Sequence, residues 1–327
     1  MVHILTHNDL DGYSAAYVVQ QHFGEENCDI EHFNYDREPD FSAIQEGDRV
    51  VITDYSFTNA QYRELLEKVG TFGQVIWLDH HITAINRYND DQELELNGIR
   101  STRFCGAALA YLFFEANVTQ SEIDRMAEDQ LTAMLPYWLQ LVDAWDCWKT
   151  DSPVRKDAEL LNMALANQLS IPLIDEMVNN PDLIDDYIET GRTYEEFRDS
   201  WASHFREKYM FERMLSGHLF NTERDIHIAV LNIGCASSKY FGDVIDDVDV
   251  CITECFNGRQ WVVSFYSNKE DIDCSYAAKV FGGGGHKGAA GCTFNQQQPP
   301  ISEGNTEIFR KGENLRWQNL KTKMEKN

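Results

Sequence analysis

The sequence predicts an α/β protein with an N-terminal doubly wound parallel sheet and a smaller C-terminal α/β domain with a mixed sheet. Over the first 150 residues, short apolar runs alternate with amphipathic helical stretches, which is the pattern of a parallel sheet with crossover helices. From about residue 224 the pattern changes to period-two alternation, and Asn257-Gly258 between two such runs is a strong hairpin signal. At 327 residues the chain also exceeds what one hydrophobic core usually organises.

The first domain is expected over residues 1–150. Its predicted strands are runs rich in branched apolar residues and too short for helices, at residues 2–5, 49–53 and 74–78. Helices are predicted at Ser14–Phe23 and Asn59–Val69, and residues 105–148 also have a helical pattern. Thr58 is a candidate N-cap for the second helix, and Gly70 is a candidate stop.

The rest of the chain is expected to contain a bridging region, a second domain and a tail. Residues 151–223 have helical patterns of mixed polarity and are expected to bridge the domains. The second domain is expected over residues 224–295. Its predicted strands are Ile226–Ile233, Val248–Phe256 and Gln260–Ser267. Residues 296–327 open with Gln-Gln-Gln-Pro-Pro and are expected to form a polar tail that includes at most one helix.

The composition argues against several classes of protein. Lys+Arg number 28 against 54 Asp+Glu, a formal charge of −26, which repels long polyanions and disfavours a partner such as long duplex nucleic acid. No stretch approaches the ~20 consecutive apolar residues of a membrane helix, and the first residues do not resemble a signal peptide. The eight cysteines form no CxxC pair, which is typical of reduced thiols. We therefore expect a cytoplasmic protein without a membrane partner.

Each predicted strand of the first domain is followed at once by acidic residues or histidines. They are His7, Asp9 and Asp11 after the first strand, Asp54 after the second, and Asp79, His80 and His81 after the third. Because the carboxyl ends of strands form the ligand crevice of an open parallel sheet, we expect these groups to converge. Carboxylates beside imidazoles suit Mn²⁺ or a similar divalent ion. The alternatives are a helix N-cap at Asp11 and an ordinary turn residue at Asp54.

Further acidic residues lie in an apolar and aromatic segment of the first domain. Asp143 and Asp146 occur in Leu141–Trp148, where a buried carboxylate needs a partner, and a metal ion is one candidate. Asp79 is placed to hold the second nitrogen of a ligating histidine. The nearby tryptophans are interpreted as core residues rather than as a base-stacking platform; they are Trp138, Trp145 and Trp148.

The last candidate cluster is the glycine run Gly282–Gly285 followed by His286. Four successive glycines expose backbone N–H groups, which is the composition of an anion-binding loop, and His286 could add a hydrogen bond to phosphate. The alternative is a flexible linker. The run Gly-Ala-Ala-Gly at 288–291 follows closely, and such a tightly packing sequence favours the phosphate contact.

Together these motifs resemble the DHH/DHHA1 phosphoesterases. Asp79-His80-His81 is the tripeptide that names this family, and Gly283-Gly284-Gly285-His286 matches the signature of its C-terminal domain. The two motifs stand in the family's order, and the resemblance covers roughly residues 3–148 and 226–294. The His7-to-Asp9 spacing and the run Leu78–Ala84 are similar to nanoRNases, RecJ-like exonucleases and exopolyphosphatase-related members.

The resemblance implies a DHH catalytic domain with two divalent ions. His7, Asp9 and Asp54 would hold one ion. Asp11, Asp54, His80 and a fourth aspartate would hold the other, so that Asp54 bridges. The fourth aspartate is Asp143 by preference, since it directly follows Leu141-Val142, and Asp146 is its competitor. Mn²⁺ is the favoured ion, with Mg²⁺ and Co²⁺ as alternatives.

The resemblance also implies roles in catalysis and substrate binding. His81, next to Asp79, would lie near the leaving group or a non-bridging oxygen. In the DHHA1 domain, the loop Gly283, Gly284, Gly285 and His286 would hold a distal phosphate. The family usually has Ser-x-Arg-Ser before the next helix, whereas this sequence has Tyr266 in the arginine position and then Ser267. A bidentate phosphate clamp is therefore absent, and Tyr266 would hydrogen-bond phosphate or stack on a base.

The expected function is hydrolysis of short single-stranded oligonucleotides to nucleoside monophosphates by water that two metal ions activate. The same chemistry fits 3′-phosphoadenosine-5′-phosphate, a linear or cyclic dinucleotide, or polyphosphate. A catalytically silent assembly factor is the alternative of another class, although the presence of every candidate ligand favours an enzyme. A homodimer is left open as the oligomeric state.

Overall fold

The computed structural model describes residues 1–34, 39–91, 93–234, 236–295, 300–301, 311–316, 318 and 321. Its internal contacts divide the chain into two compact units, Met1–Glu195 and Glu196–Asn327. The region expected to bridge two domains, residues 151–223, is therefore shared between the units. None of the described helices is both long enough and apolar enough to cross a membrane.

The first unit is built on a four-stranded parallel sheet in the order β2-β1-β3-β4. Its strands are β1 (Val2–His7), β2 (Cys28–Phe33), β3 (Arg49–Thr53) and β4 (Gln74–Leu78). Its helices are α1 (Leu10–Phe23), α2 (Asn59–Val69), α3 (Ile82–Asn89), α4 (Gly106–Phe114), α5 (Gln120–Arg125), α6 (Glu128–Thr132), α7 (Tyr137–Asp146), α8 (Arg155–Leu165) and α9 (Ile171–Asn179). Helix α10 (Asp182–Tyr209) contains the division between the units.

The sheet of the first unit has a hydrophobic core on each face, which confirms the predicted doubly wound architecture. Ile4 and Val51 point into the core that contains α1 and α4. Their neighbours Leu5 and Ile52 point into the opposite core, with α2 and α3. This alternation follows from the period of two residues in a strand. Because all four strands are parallel, their carboxyl ends lie at one edge of the sheet.

The predicted strands of the first unit are present, and one further strand was not predicted. That strand, β2, has the sequence Cys-Asp-Ile-Glu-His-Phe, and only Phe33 is fully buried. It lies at the edge of the sheet, where one side of the strand is open to solvent and polar residues are tolerated. The apolar pattern that marks the central strands is therefore absent from its sequence.

The second unit contains a six-stranded mixed sheet in the order β5-β6-β7-β8-β10-β9. Its strands are β5 (Met210–Ser216), β6 (Asp225–Asn232), β7 (Val250–Phe256), β8 (Trp261–Tyr266), β9 (Gly284–Gly285) and β10 (Ala289–Phe294), and its helices are α11 (Val244–Asp247) and α12 (Cys274–Val280). Among these described strands, only β6 and β7 pair in parallel. The predicted mixed sheet is thus confirmed.

The predicted hairpin at Asn257-Gly258 joins β7 to β8. Phe256 pairs with Trp261 at the end of the antiparallel ladder. The Asn257 side chain accepts hydrogen bonds from the N–H groups of Arg259 and Gln260 (both 3.0 Å). Gly258 has a φ of +93°, which a residue without a Cβ adopts easily. The Asn-Gly pair therefore forms the turn as its sequence predicts, through the side-chain hydrogen bonds of Asn257 and the positive φ of Gly258.

The sheet of the second unit begins earlier than predicted. Residues 210–216 were expected within a helical region, but they form β5, which pairs with β6 along its whole length. Strand β5 follows the 28-residue helix α10 without a break, and its sequence lacks regular alternation. Neither a turn signal nor a change of period marks the boundary, so the sequence predicts a helix that continues through it.

Much of the expected polar tail, residues 296–327, lies outside the described residues. Within the described part, Ile301 is fully buried in the core of the second unit, and its N–H donates to the carboxylate of Glu254 (2.9 Å). Residues 311–316 are helical, and Leu315 packs against the same core. These described residues of the tail therefore contribute to the fold.

The tryptophans near α7 differ in burial. Trp138 is 7% exposed and belongs to the core, and Trp145 packs partly against it. Trp148 is 64% exposed, so the interpretation of all three residues as core is wrong for Trp148.

We expect Thr58→Ala to lower the free energy of unfolding by about 1 kcal/mol, because it removes the N-cap of α2. Thr58 Oγ1 accepts from Gln61 N (3.3 Å), and Gln61 Oε1 accepts from Thr58 N (2.9 Å), which completes a capping box. Urea denaturation followed by circular dichroism measures the change. Glu64→Ala, at an exposed position of the same helix, is the control and should change stability by less than about 0.5 kcal/mol.

Candidate metal centre

The turn after β1 brings His7 and Asp9 together. Asp9 is the N-cap of α1, and its Oδ1 accepts from Gly12 N (3.0 Å). Its Oδ2 lies 2.7 Å from His7 Nδ1. A Cβ on Gly12 would lie 2.1 Å from the carbonyl oxygen of His7, so the turn requires glycine there. The N-cap of α1 is therefore Asp9, and the alternative of an N-cap at Asp11 is wrong.

Asp54 follows β3 and lies at the centre of the cluster. Its φ is +52°, a left-handed conformation that is uncommon for a residue with a side chain. Its Oδ1 lies 3.2 Å from His80 Nε2, and its Oδ2 lies 3.9 Å from His7 Nδ1. The residue is buried, with 2% of its surface exposed. A Cβ on Gly106 would lie 2.5 Å from Asp54 Cβ, so this glycine makes room for the carboxylate.

The residues after β4 form a pair of histidines that are oriented differently. Asp79 Oδ1 accepts from the backbone N–H groups of His80 (2.8 Å) and His81 (3.3 Å), and it also lies 2.7 Å from His81 Nδ1. Asp79 therefore orients the side chain of His81. The ring of His80 is directed instead toward Asp54, and its Nδ1 lies 4.0 Å from Cys147 Sγ.

Asp143 and Asp146 lie one helical turn apart on α7 but have different partners. Asp146 Oδ2 lies 3.3 Å from His80 Nε2. The carboxylate of Asp143 is turned away from that ring, because its Oδ2 lies 2.6 Å from Lys149 Nζ and its Oδ1 accepts from Cys105 N (2.9 Å). The geometry therefore does not favour Asp143 as the fourth ligand. We propose Asp146 for this role.

Helix α4 directs three backbone N–H groups into the site. These first donors of a helix have no partners within the helix. They donate from Cys105 to Asp143 Oδ1 (2.9 Å), from Gly106 to Asp11 Oδ2 (2.6 Å) and from Ala107 to Asp11 Oδ1 (2.7 Å). The partial positive charge of the helix N-terminus thus stabilises two buried carboxylates. Asp11 remains a proposed ligand, since each of its oxygens keeps a second lone pair and Oδ2 lies 3.9 Å from His80 Nε2.

Lys149 is a contributor to this site that the sequence did not predict. Its ammonium group lies between the carboxylates of Asp143 (2.6 Å) and Glu128 (2.8 Å), and 4.3 Å from the ring centre of Phe104. Burial would lower the pKa of Lys149, but Asp143 and Glu128 outweigh this effect and raise it. A lysine after an aromatic segment has no motif that distinguishes it, so only the fold reveals its position.

The crowded carboxylates have perturbed pKa values. Burial, together with the charges of Asp11 and Asp9, raises the pKa of Asp54 well above its ordinary value. The same three causes raise the pKa of Asp146 to about 8. For Asp9, burial acts in the same direction, but hydrogen bonds from His7 and Gly12 outweigh it and lower the pKa. Without a cation, these groups therefore cannot all be ionised at neutral pH.

The donor set fits a divalent cation. Asp54 Oδ2 is buried and has no hydrogen-bond partner among the described residues, whereas Oδ1 of the same carboxylate lies 3.2 Å from His80 Nε2. Carboxylate oxygens with imidazole nitrogens suit Mn²⁺ and similar ions. Within the described part of the chain, three groups of side chains have ligand atoms within 4.8 Å of one another: His7, Asp9 and Asp54; Asp54, Asp79, His80 and His81; and His80, Asp146 and Cys147.

The glycine run of the second unit is an ordered structure. Gly284 and Gly285 form β9, which pairs with β10. A Cβ on Gly283 would lie 2.1 Å from Gly291 O, and one on Gly285 would lie 2.6 Å from Ala290 Cα. His286 is exposed at the turn between these strands, and its N–H donates to Ala289 O (2.7 Å). The run is thus a tight strand-turn-strand structure, not the flexible linker considered as an alternative.

The two hydroxyls expected near the phosphate already donate to the backbone. Tyr266 donates to Ala236 O (3.2 Å), and Ser267 donates to Asp249 O (2.7 Å). Ser267 Oγ also accepts from Lys269 N (3.1 Å). Of the predicted phosphate-binding side chains, only that of His286 has no hydrogen-bond partner among the described residues. A phosphate role for Tyr266 and Ser267 therefore remains a proposal that requires these bonds to be exchanged.

Comparison with known proteins matches residues 1–136 to the DHH family, N-terminal domain. Oligoribonuclease NrnB of Bacillus subtilis (strain 168) is 24% identical, over 91% of this chain and 74% of that protein. The DHH domain of a protein described as a member of a ribosomal protein family has a TM-score of 0.51 at 13% identity, and the match covers 98% of this chain and 86% of that chain. RecJ from Thermus thermophilus in complex with Mn²⁺ has a TM-score of 0.50 at 15% identity, and the match covers 96% of this chain and 51% of that chain. These two structures share the fold of this chain.

We expect Asp146→Asn to lower metal affinity and activity by about 100-fold or more, and to do so more strongly than Asp143→Asn. Removal of a direct ligand should lower metal affinity at least as much as removal of a residue that only supports a ligand, for which the loss reaches about 100-fold. Metal content after dialysis and the Mn²⁺ concentration for half-maximal activity measure the difference. Equal effects, or a larger effect of Asp143→Asn on metal affinity, would restore Asp143 as the ligand.

We also expect Lys149→Met to weaken metal binding by about 10- to 100-fold, because Asp143, which accepts from Cys105 N, would lose its cation. This would disturb the N-terminus of α4, whose N–H groups at Gly106 and Ala107 hold the proposed ligand Asp11. Lys149→Arg should recover part of this loss. Lys156→Met is the matched control, since Lys156 is half-exposed and pairs with Glu195. If metal affinity is the same in Lys149→Met and the control, Lys149 does not support the metal centre.

Proposed function

We propose that this chain, whose residues 1–136 match the DHH family, N-terminal domain, is a hydrolase of phosphate esters that degrades short single-stranded oligonucleotides to nucleoside monophosphates. The observation that carries the proposal is the cluster at the carboxyl edge of the parallel sheet. There Asp54, one oxygen of which has no hydrogen-bond partner among the described residues, lies within reach of His7 and His80. Such a cluster can hold the ions that phosphodiester hydrolysis needs.

The proposed ligands are His7, Asp9 and Asp54 for one ion, and Asp11, Asp54, His80 and Asp146 for the other. Mn²⁺ is the proposed ion, because mixed imidazole and carboxylate ligands favour it over Mg²⁺. Two divalent ions bound there would supply Lewis acidity that lowers the pKa of water and offsets charge on the phosphoryl oxygens. Asp54 would serve both ions, which explains why its two oxygens are directed to different histidines.

His81 is the proposed residue that contacts the reacting phosphate. Asp79 fixes its Nδ1, which leaves Nε2 as the nitrogen that can face a substrate. Burial would lower the pKa of His81, but the hydrogen bond and charge of Asp79 outweigh burial and raise it. A protonated His81 can donate a hydrogen bond to a non-bridging oxygen or a proton to the leaving oxygen.

Two features support short substrates. The formal charge of −26 means that each additional phosphate of a long strand meets a mostly acidic protein with little gain from counterion release. The glycine-rich turn offers the exposed His286 and Lys287 for one terminal phosphate, without the arginine that would make a bidentate clamp. The name of NrnB, oligoribonuclease, describes an activity of the same kind for that protein.

Substrates with the same chemistry are the alternatives within this proposal. They are 3′-phosphoadenosine-5′-phosphate, linear and cyclic dinucleotides, and polyphosphate. The test is a Mn²⁺-supplemented panel of these compounds together with oligoribonucleotides of two to about twenty nucleotides at fixed salt. We expect rates that are highest for the shortest strands and that vanish in excess chelator. Full turnover in chelator after dialysis would refute the metal centre, and equal rates at all lengths would refute the preference for short strands.

We expect His286→Ala to raise KM for a dinucleotide by roughly tenfold, while metal affinity stays unchanged, because the loop binds phosphate and not the ions. Steady-state kinetics and metal titration measure the two effects separately. His204→Ala is the control, since His204 is an exposed histidine on α10. An unchanged KM in His286→Ala would remove the loop from substrate binding.

A further inference from the structure

A surface tryptophan close to the proposed metal centre has an uncommon backbone conformation. Trp148 is 64% exposed, and its φ is +53°. Bulky L residues rarely adopt this left-handed conformation, because Cβ comes too close to the backbone. An exposed indole in a strained conformation indicates a role other than packing.

The backbone at Trp148 forms the C-terminal turn of α7. Trp148 N donates to Trp145 O (3.2 Å), and Lys149 N donates to Ala144 O (3.1 Å). This is the Schellman arrangement, in which glycine usually occupies the left-handed position. Glycine would form the same turn with less strain. The geometry of the turn therefore does not require the indole of Trp148.

Arg155 holds the ring of Trp148 in place. Its guanidinium carbon lies 4.5 Å from the ring centre of Trp148 and 4.8 Å from that of Trp145. The same guanidinium donates to the last carbonyl groups of α7, at Ala144 (2.7 Å) and Trp145 (3.0 Å). The indole is thus oriented by a fixed cation while most of its surface stays exposed. A rigid, exposed aromatic face is the feature on which nucleobases stack.

Trp148 lines a cavity of about 620 Å³ within the first unit. This volume lies in the range of sites for small molecules. Asp143, Lys149, Gln140 and Ser152 contribute to the wall, so the polar edge of a base would meet amide, hydroxyl and charged groups. Trp148 is two residues from Asp146, and two residues of chain span at most about 7 Å. Trp148 also directly follows Cys147, whose Sγ lies 4.0 Å from His80 Nδ1, so the backbone of Trp148 lies near the proposed metal centre.

We propose that this cavity is a nucleobase subsite in which Trp148 stacks on a base of the substrate. The proposal rests on the proposed function, since it assigns the base next to the phosphate that the metal centre would hold. It gives the chain a preference for nucleotides over phosphate esters that lack a base. Polyphosphate would gain nothing from this subsite.

The test compares adenosine monophosphate with ribose 5-phosphate, which has the sugar and phosphate but no base. Dissociation constants are measured by calorimetric titration for the wild type, Trp148→Ala and Trp148→Phe, with Mn²⁺ and with chelator. In the wild type, we expect adenosine monophosphate to bind about tenfold more tightly than ribose 5-phosphate. In Trp148→Ala this ratio should fall to about one, and Trp148→Phe should retain part of it. Trp201→Ala, at a 46% exposed tryptophan of the second unit, is the control and should keep the ratio.

The outcomes separate this proposal from the proposed function. A ratio that is unchanged in Trp148→Ala, or that is already one in the wild type, overturns the subsite even if oligonucleotides are hydrolysed. A ratio that depends on Trp148 in chelator, in a protein that hydrolyses no compound of the substrate panel, supports the subsite and refutes the proposed function. Circular dichroism of each variant verifies that it is folded, and Trp148→Phe keeps the test informative if Trp148→Ala is not.

Discussion

The structure of the first unit depends on one electrostatic constraint, the need to hold several carboxylates together at the edge of a parallel sheet. Asp11, Asp54, Asp143 and Asp146 are all largely removed from solvent. Burial and neighbouring like charges raise the pKa values of Asp54, Asp143 and Asp146. Fixed groups of positive or partial positive charge compensate part of this negative charge. The N-terminus of α4 donates three N–H groups, and Lys149 lies against Asp143. What remains uncompensated is centred on Asp54, where the proposed ions would bind.

This arrangement explains why the local backbone is unusual at the same place. Gly12 and Gly106 each stand where a Cβ would collide with the backbone or with Asp54, and Asp54 itself has a left-handed conformation. Such features cost stability, and they persist because the surrounding sheet and helices determine them. The two apolar cores on either face of the sheet supply that support. The positions of the site residues therefore depend on the close packing that Gly12 and Gly106 allow.

The sequence predicted the convergence of side chains that follow the ends of the central strands. His7, Asp9, Asp54 and His80 converge because β1, β3 and β4 are parallel neighbours, and their apolar patterns identify them. The choice between Asp143 and Asp146 was not predictable, because both lie on one helix and only the position of Lys149 and Cys105 N distinguishes them. The edge strand β2 was missed because its burial is partial. Strand β5 was missed because neither a turn signal nor a change of period separates it from α10. Trp148 was misassigned because an aromatic segment gives no sign that one of its rings lies outside.

The glycine-rich turn of the second unit has a consequence for the thermodynamics of binding. Since Gly283 and Gly285 are required by close contacts with β10, the run has lost its conformational freedom before any anion arrives. Ordering a loop of four glycines at the moment of binding would cost a large share of the affinity for a small phosphate. In this protein the conformational entropy of the glycine run is lost during folding instead of during binding. If the turn binds phosphate as proposed, the pairing of β9 with β10 would allow a single exposed imidazole, without arginine, to contribute to the affinity.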